Sequence, residues 1–213
     1  MAASRRDTKE EIVSCAIDLF SKKGYTDTSM REIAQAVQIQ PGSIYNHFAS
    51  KQEILEHILG LFTLTVATSA LRDLSIEKLM HDVTIDNILA CMALQFDPEF
   101  ADRYKKILYI ILHEQHRSET VREYVRDKLV LQNEMYVRQM VEGLVTAGLI
   151  EPVDSDLIAK LHVATTYYWA SANLMGIDDS MPFVRNHTMA SVLQKIYEQF
   201  IVIRRDQPTI GLE

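Results

Sequence analysis

Two Ser-x-x-Glu boxes, Ser29–Glu32 and Ser50–Glu53, constrain this chain more than any other feature. In such a box the serine hydroxyl and the glutamate carboxylate each satisfy an orphan N–H at a helix start, so each box marks a place where a helix begins. Behind the first, Met30, Ile33, Ala34 and Val37 recur at helical spacing, the buried face of a two-turn helix. Gln38-Ile39-Gln40 then interrupts the pattern, Pro41 suits the first position of a new helix, and Ile44 and Phe48 point to one side of it. Behind the second box, Ile54, Leu55, Ile58, Leu61 and Phe62 open a longer helix. Ahead of both, Ile12, Ala16, Leu19 and Phe20 form a stripe that closes on Lys22 and Lys23, and Gly24 supplies a left-handed stop. Three short helices and a long one, the middle pair joined by a tight turn, make a helix-turn-helix layout.

The rest of the chain reads the same way. With 7 Gly and 5 Pro in 213 residues, turn signals are too sparse for a sandwich of short strands. The fold class expected is all-α: an N-terminal three-helix helix-turn-helix domain over 1–52 and a helical domain over 53–213. Tyr104, Ile107, Leu108, Ile111 and Leu112 mark one helix, and Asp97-Pro98 a break before it. Ser118 opens the longest, through Val121, Val125, Leu129, Tyr136, Met140 and Leu144 to Gly148. Two strongly apolar helices follow, roughly 155–175 and 182–204.

Several function classes drop out. No apolar run approaches the ~18 residues that cross a bilayer, and no signal-peptide core follows the first Met, so a cytoplasmic protein is expected. Cys15 and Cys91 have neither disulfide-scaffold nor metal spacing. His113-Glu114-Gln115-His116 places two histidines on one helix face, but nothing nearby completes a ligand set, and the segment reads as a helix end; no metal is expected. No G-x-S-x-G elbow, phosphate loop or dinucleotide fingerprint is present, so neither an enzyme nor a cofactor is expected. The net charge of −7 is uneven: residues 1–52 carry seven Lys and Arg against six Asp and Glu. A neutral-to-basic head on an acidic body leaves local phosphate binding open.

The third helix carries the functional signal. Opposite Ile44 and Phe48 lie Gly42, Ser43 and Asn46, flanked by Tyr45 and His47, all small or hydrogen-bonding and none acidic. Small residues admit close approach to a groove, and the polar ones can bond phosphates or base edges. A helical binder of an apolar molecule, with no DNA, remains open but leaves this face unexplained.

Thr28-Ser29-Met30-Arg31-Glu32-Ile33-Ala34, Gly42-Ser43-Ile44-Tyr45-Asn46-His47-Phe48 and Ser50-Lys51, with Lys23-Gly24-Tyr25 before them, resemble the signature of TetR-family transcriptional regulators, over roughly residues 8–60. The resemblance implies that Thr28 and Ser29 bond a phosphate at the start of the second helix. It places Gln40, Pro41, Ser43, Tyr45 and Asn46 toward the major groove and Tyr45, His47 and Lys51 on the DNA backbone. Gln40 is the candidate for reading a base, because an amide pairs two edge atoms of adenine. The chain departs from the family with Gln38, where Gly is usual in the turn, and with Gln40, where Ser often caps the third helix. A non-Gly residue at a left-handed position costs on the order of 1 kcal/mol, so another turn shape is open.

The resemblance further implies a homodimer through the last two helices and two recognition helices ~34–36 Å apart on a palindromic duplex operator. It also implies a small apolar or amphipathic effector in a body pocket, with Phe62, Phe96, Tyr104, Tyr109, Met135, Met140, Tyr168 and Trp169 as candidate lining. Aromatics and Met at helical spacing serve equally as plain core.

Overall fold

Helix α1, Thr8–Lys23, forms where the apolar stripe predicts it and buries Ile12, Val13, Ala16, Ile17 and Phe20. It stops at Gly24, whose φ of 89° is left-handed backbone that a side chain resists. The computed structural model describes residues 8–71, 79, 82–92, 101–174 and 188–204. After α1 come α2 (Met30–Ala36), a 3-10 helix (Ser43–Asn46), α3 (Lys51–Leu71), α4 (Ile85–Met92), α5 (Ala101–Glu114), α6 (Glu119–Tyr124), a π-helix (Val125–Leu131), α7 (Gln132–Thr146), α8 (Ser155–Leu174) and α9 (Met189–Phe200). The only β pairing among the described residues is an isolated bridge between Ile150 and Ile203. The all-α expectation holds, with the helix-turn-helix at the N-terminus.

Packing divides the chain into two units, Met1–Ala67 with Phe96–Val125, and Thr68–Gln95 with Arg126–Glu213. In the first, α1 packs against α2 and α5. Ile33, Ala34, Ile44, Phe48, Ile54, Leu55 and Ile58 are buried with the α1 stripe, and α5 adds Ile107, Ile110 and Ile111. Burying each Ile or Phe contributes about 1.5–3 kcal/mol, which fixes the short helical pieces that could not stand alone. Arg103 pairs with Glu10 at 2.5 Å and Lys106 with Asp18 at 2.9 Å, tying α5 along α1.

In the second unit α7 packs on α8, α8 on α9, and α9 on α4. Ile88, Val137, Val141, Leu144, Ile158, Ala159, Leu193 and Tyr197 share its core. Inside it the His162 imidazole and the Tyr197 hydroxyl lie 2.9 Å apart. Burial holds the His162 pKa down to about 4 and pushes the Tyr197 hydroxyl well above its ordinary value.

Three local expectations change. The longest helix is not uniform: Ser118 caps α6 as expected, but the backbone runs through a π-helix before α7, leaving Leu131 and Met135 about half exposed. A π-turn widens the helix, so a stripe counted at constant spacing loses register across it. The last helix ends at Phe200. Ile201 turns extended, and Glu151 N donates to the Val202 carbonyl at 2.8 Å while Arg204 N donates to that of Leu149 at 3.0 Å. Third, no α-helix starts at Pro41. Pro41 and Gly42 lie in the turn, and the 3-10 helix that follows has no side-chain cap. The breaks read at 97–98 and 178–182 lie outside the described residues.

Candidate nucleic-acid interface

The turn between α2 and the 3-10 helix keeps the left-handed geometry despite lacking glycine. Gln38 has φ 62°, Ile39 N donates to the Ala34 carbonyl at 3.0 Å, and Gln38 N to that of Gln35 at 3.1 Å. These two bonds are the Schellman pattern, which satisfies the last carbonyls of α2. Their gain holds a residue that, by itself, disfavours the conformation.

The tight turn turns the chain so that Ile44 and Phe48 go inward, 0% and 1% exposed. Phe48 lies edge-on to His57, with Lys9 Nζ 5.1 Å from its ring centroid. With that side anchored, Gln40, Pro41, Gly42, Tyr45 and Asn46 are exposed and Ser43 and His47 half-buried. Tyr45 is 57% exposed, unusual for a large ring on a well-packed unit. Gly42 has ordinary helical angles, and a Cβ placed on it meets nothing within 4 Å. Neither conformation nor packing requires glycine there. Between Glu32 and Glu53 the chain contains no Asp or Glu, so this run carries no carboxylate of its own to repel a phosphate.

At the start of α2 both halves of the first capping box form. Glu32 N donates to Ser29 Oγ at 3.3 Å and Ser29 N to Glu32 Oε2 at 2.8 Å. The Ser29 hydroxyl donates to Glu32 as well, at 2.8 Å, and Lys23 adds an ammonium. Lys23 first, then Ser29, hold the Glu32 carboxyl down to about 2. At the second box Glu53 N donates to Ser50 Oγ, but the Glu53 carboxylate reaches one residue further back, to Ala49 N.

Two of the residues assigned to phosphates by resemblance are occupied elsewhere. Thr28 is 1% exposed, and its hydroxyl donates to the Gly24 carbonyl at 2.9 Å. Lys51 Nζ donates to the carbonyls of Tyr25, Thr26 and Thr28 at 2.6, 3.2 and 2.7 Å, and stands 4.4 Å from the Tyr25 ring centroid. An ammonium has three protons, and in this structure all three are used within the unit. Burial lowers its pKa, opposed mainly by Glu114. Both residues shape the unit beneath the face instead.

Two residues went unassigned in the sequence reading. Arg31 is exposed and has no hydrogen-bond or ion-pair partner among the described residues. Its position in the first turn of α2, where the dipole disfavours a cation, was the available signal. Glu114 is 2% exposed, and its carboxylate accepts the Tyr25 N–H at 3.2 Å. No local signal marks it, because its partner lies 89 residues away.

The N-terminal segment 12–58 matches the model of bacterial regulatory proteins of the tetR family. Residues 12–58 are a TetR-family segment. The chain is similar to the HTH-type transcriptional regulator SrpR of Pseudomonas putida, 24% identical over 162 residues, 76% of this chain and 72% of that one. Its head is similar to that of IcaR of Staphylococcus aureus, a negative transcriptional regulator of a biofilm operon, 48% identical over 48 residues, 22% of this chain and 26% of that one. A putative transcriptional regulator of Saccharomonospora viridis, solved in complex with choline, shares the fold with a TM-score of 0.68 at 19% identity, covering 94% of this chain and all of that one. All three are transcriptional regulators by name, and IcaR is a negative one.

The residues offered as pocket lining fall in both units. Phe62 is buried and meets Tyr104 edge-on, centroids 6.1 Å apart. Tyr109 is 39% exposed and stacks on His113. Met140 and Trp169 are buried in the other unit, whereas Met135 and Tyr168 are about half exposed. Phe96 lies outside the described residues. No described helix is long and apolar enough to cross a membrane.

Proposed function

We propose that the chain is a homodimeric, ligand-responsive repressor that binds a palindromic DNA operator. The observation that carries this is the exposed, acid-free face from Gln40 to His47, backed by buried Ile44 and Phe48, inside the segment 12–58. In this reading Gln40 pairs with a base, Pro41, Ser43 and Asn46 line the major groove, and Tyr45, His47 and Arg31 hold phosphates. Thr28 and Lys51 serve the contact from beneath by shaping the turn before α2, and the exposed Ser29 bonds a phosphate at the start of that helix.

Functionally the chain divides into a DNA-binding head, 1–52, and a ligand-binding and dimerising body, 53–213. The last two helices, α8 and α9, pair with their copies. Leu157, Tyr168, Met189 and Phe200 on these helices are all at least 39% exposed, and a second copy gives them a partner. The effector is a small apolar or amphipathic molecule, and the choline held by one structural neighbour favours a response to small molecules. Such a ligand releases DNA only by its differential affinity for two states of the dimer, and by reciprocity the operator weakens ligand binding by the same factor. The protein acts in the cytoplasm.

The test is selection of random duplex DNA on the purified protein at near-physiological salt. An enriched palindrome, with half-sites about one helical turn apart, supports the reading. Weak, salt-sensitive binding without enrichment, persisting after unfolding, ligand removal and refolding, overturns it.

A further inference from the structure

The turn from Gly24 to Thr28 is held by two side chains distant in sequence and opposite in charge. Lys51 Nζ takes the carbonyls of Tyr25, Thr26 and Thr28, and the Glu114 carboxylate takes the Tyr25 N–H. A carboxylate is costly to bury unless its acceptor capacity is used. Glu114 is nevertheless 2% exposed, at the last residue of α5, where its carboxylate meets this amide, lies 3.5 Å from His113 Nδ1 and acts on the charge of Lys51. Ile107, Ile110 and Ile111 already pack this helix, so burial alone gives no reason for an acid at its end.

What the acid holds is the chain just before α2. The turn leads directly to the cap Ser29, and α2 packs against the 3-10 helix that bears the exposed face. The ion pairs Arg103–Glu10 and Lys106–Asp18 fix α5 along α1, so the carboxylate is presented from a braced support. We infer that Glu114 is a positioning residue for DNA recognition: through the Tyr25 amide it sets the turn that carries α2, and so orients the face from Gln40 to His47. This inference rests on the reading of the chain as an operator-binding regulator.

The experiment compares the wild type with Glu114→Ala, Glu114→Asp, Glu114→Gln and Ile111→Val, the last a fully buried change one helical turn earlier that leaves the carboxylate in place. Thermal midpoints are measured alongside affinity for the duplex selected by the wild type and for an unrelated duplex, at one salt concentration. Glu114→Ala is expected to weaken the selected duplex about tenfold and the unrelated one less than about twofold, so that the specificity ratio falls. Glu114→Gln keeps an oxygen that can accept the Tyr25 N–H and restores the ratio to within about threefold of wild type. Ile111→Val lowers the midpoint and leaves the ratio intact. If Glu114→Ala does not fold, Glu114→Asp, whose carboxylate is one methylene short of the amide, carries the same expectation at smaller size. A folded Glu114 variant with the wild-type ratio overturns the inference, as does an Ile111→Val protein that loses the ratio equally. A wild type that selects no duplex overturns the functional reading instead.

Discussion

Lys51 grips Tyr25 twice, its ammonium donating to the Tyr25 carbonyl at 2.6 Å while standing 4.4 Å from the centroid of the same residue's ring. With the Thr26 and Thr28 carbonyls added, Lys51 is a staple between α3 and the turn before α2. Lys51→Ala is therefore expected to destabilise the folded protein by about 2 kcal/mol, since bonds to a charged group contribute about 1.5–3 kcal/mol each and water replaces part of the loss. Lys51→Arg does not rescue it, because a planar fork cannot converge on three carbonyls. Urea unfolding measures both. A variant of wild-type stability whose only defect is a shallower salt dependence of DNA binding would restore the phosphate role.

Gln38 sits at φ 62° with its amide used in the turn. Gln38→Gly relieves the left-handed strain and returns part of the gain as backbone entropy, for a net stabilisation of about 0.5–1 kcal/mol. Thermal denaturation reads it. A lower midpoint would mean that the glutamine side chain has a role in the fold.

Gly42 has open space above it and ordinary backbone angles. Gly42→Ala is thus expected to leave stability within about 0.5 kcal/mol of wild type or raise it slightly. If a DNA backbone or base approaches the bare Cα, affinity for the selected duplex falls about tenfold, close to 1.4 kcal/mol. Equal DNA affinity in the two proteins excludes close approach at this residue.

Gln40 and Arg31 separate base reading from phosphate holding. Gln40→Ala is expected to relax preference at one operator position at a cost of about 1–3 kcal/mol. Arg31→Ala weakens all duplexes alike and flattens the salt dependence by about one unit per head. Competition titrations over single-base operator variants at several salt concentrations measure the two together. The same uniform loss from both changes removes Gln40 from base reading.

His162 links stability to pH. Its folded pKa of about 4 lies below the ordinary 6.5, so between these values the unfolded chain binds the extra proton. Stability is complete above pH 6.5, falls as pH drops toward 4, and loses up to about 3 kcal/mol across that window. His162→Gln is expected to flatten this segment of the profile in chemical unfolding at stepped pH. An unchanged slope assigns the acid sensitivity to other groups.

The helix starts and stops of the head were legible because they are local. The Ser29 box, the Gly24 stop and the inward pair Ile44 and Phe48 each depend on residues within a few positions of one another, and all three formed as read. The exposed run from Gln40 to His47 was legible for a related reason, since an anchored side dictates the free one. Spacing could not reveal the π-helix at Val125–Leu131, because a stripe counted at constant period carries no mark of a widened turn.

Side chains that reach across the fold divide the two kinds of information. The chain's own order of residues determined an all-α fold, the head layout and an unacidic polar face, because capping and periodicity act over one or two turns. Only the tertiary structure decided that Lys51 and Thr28 face inward, that Arg31 has no partner among the described residues, and that Glu114 closes on Tyr25. A long polar side chain bonds whichever acceptor or donor folding brings within about 3 Å, and that choice is made by elements far apart in the chain.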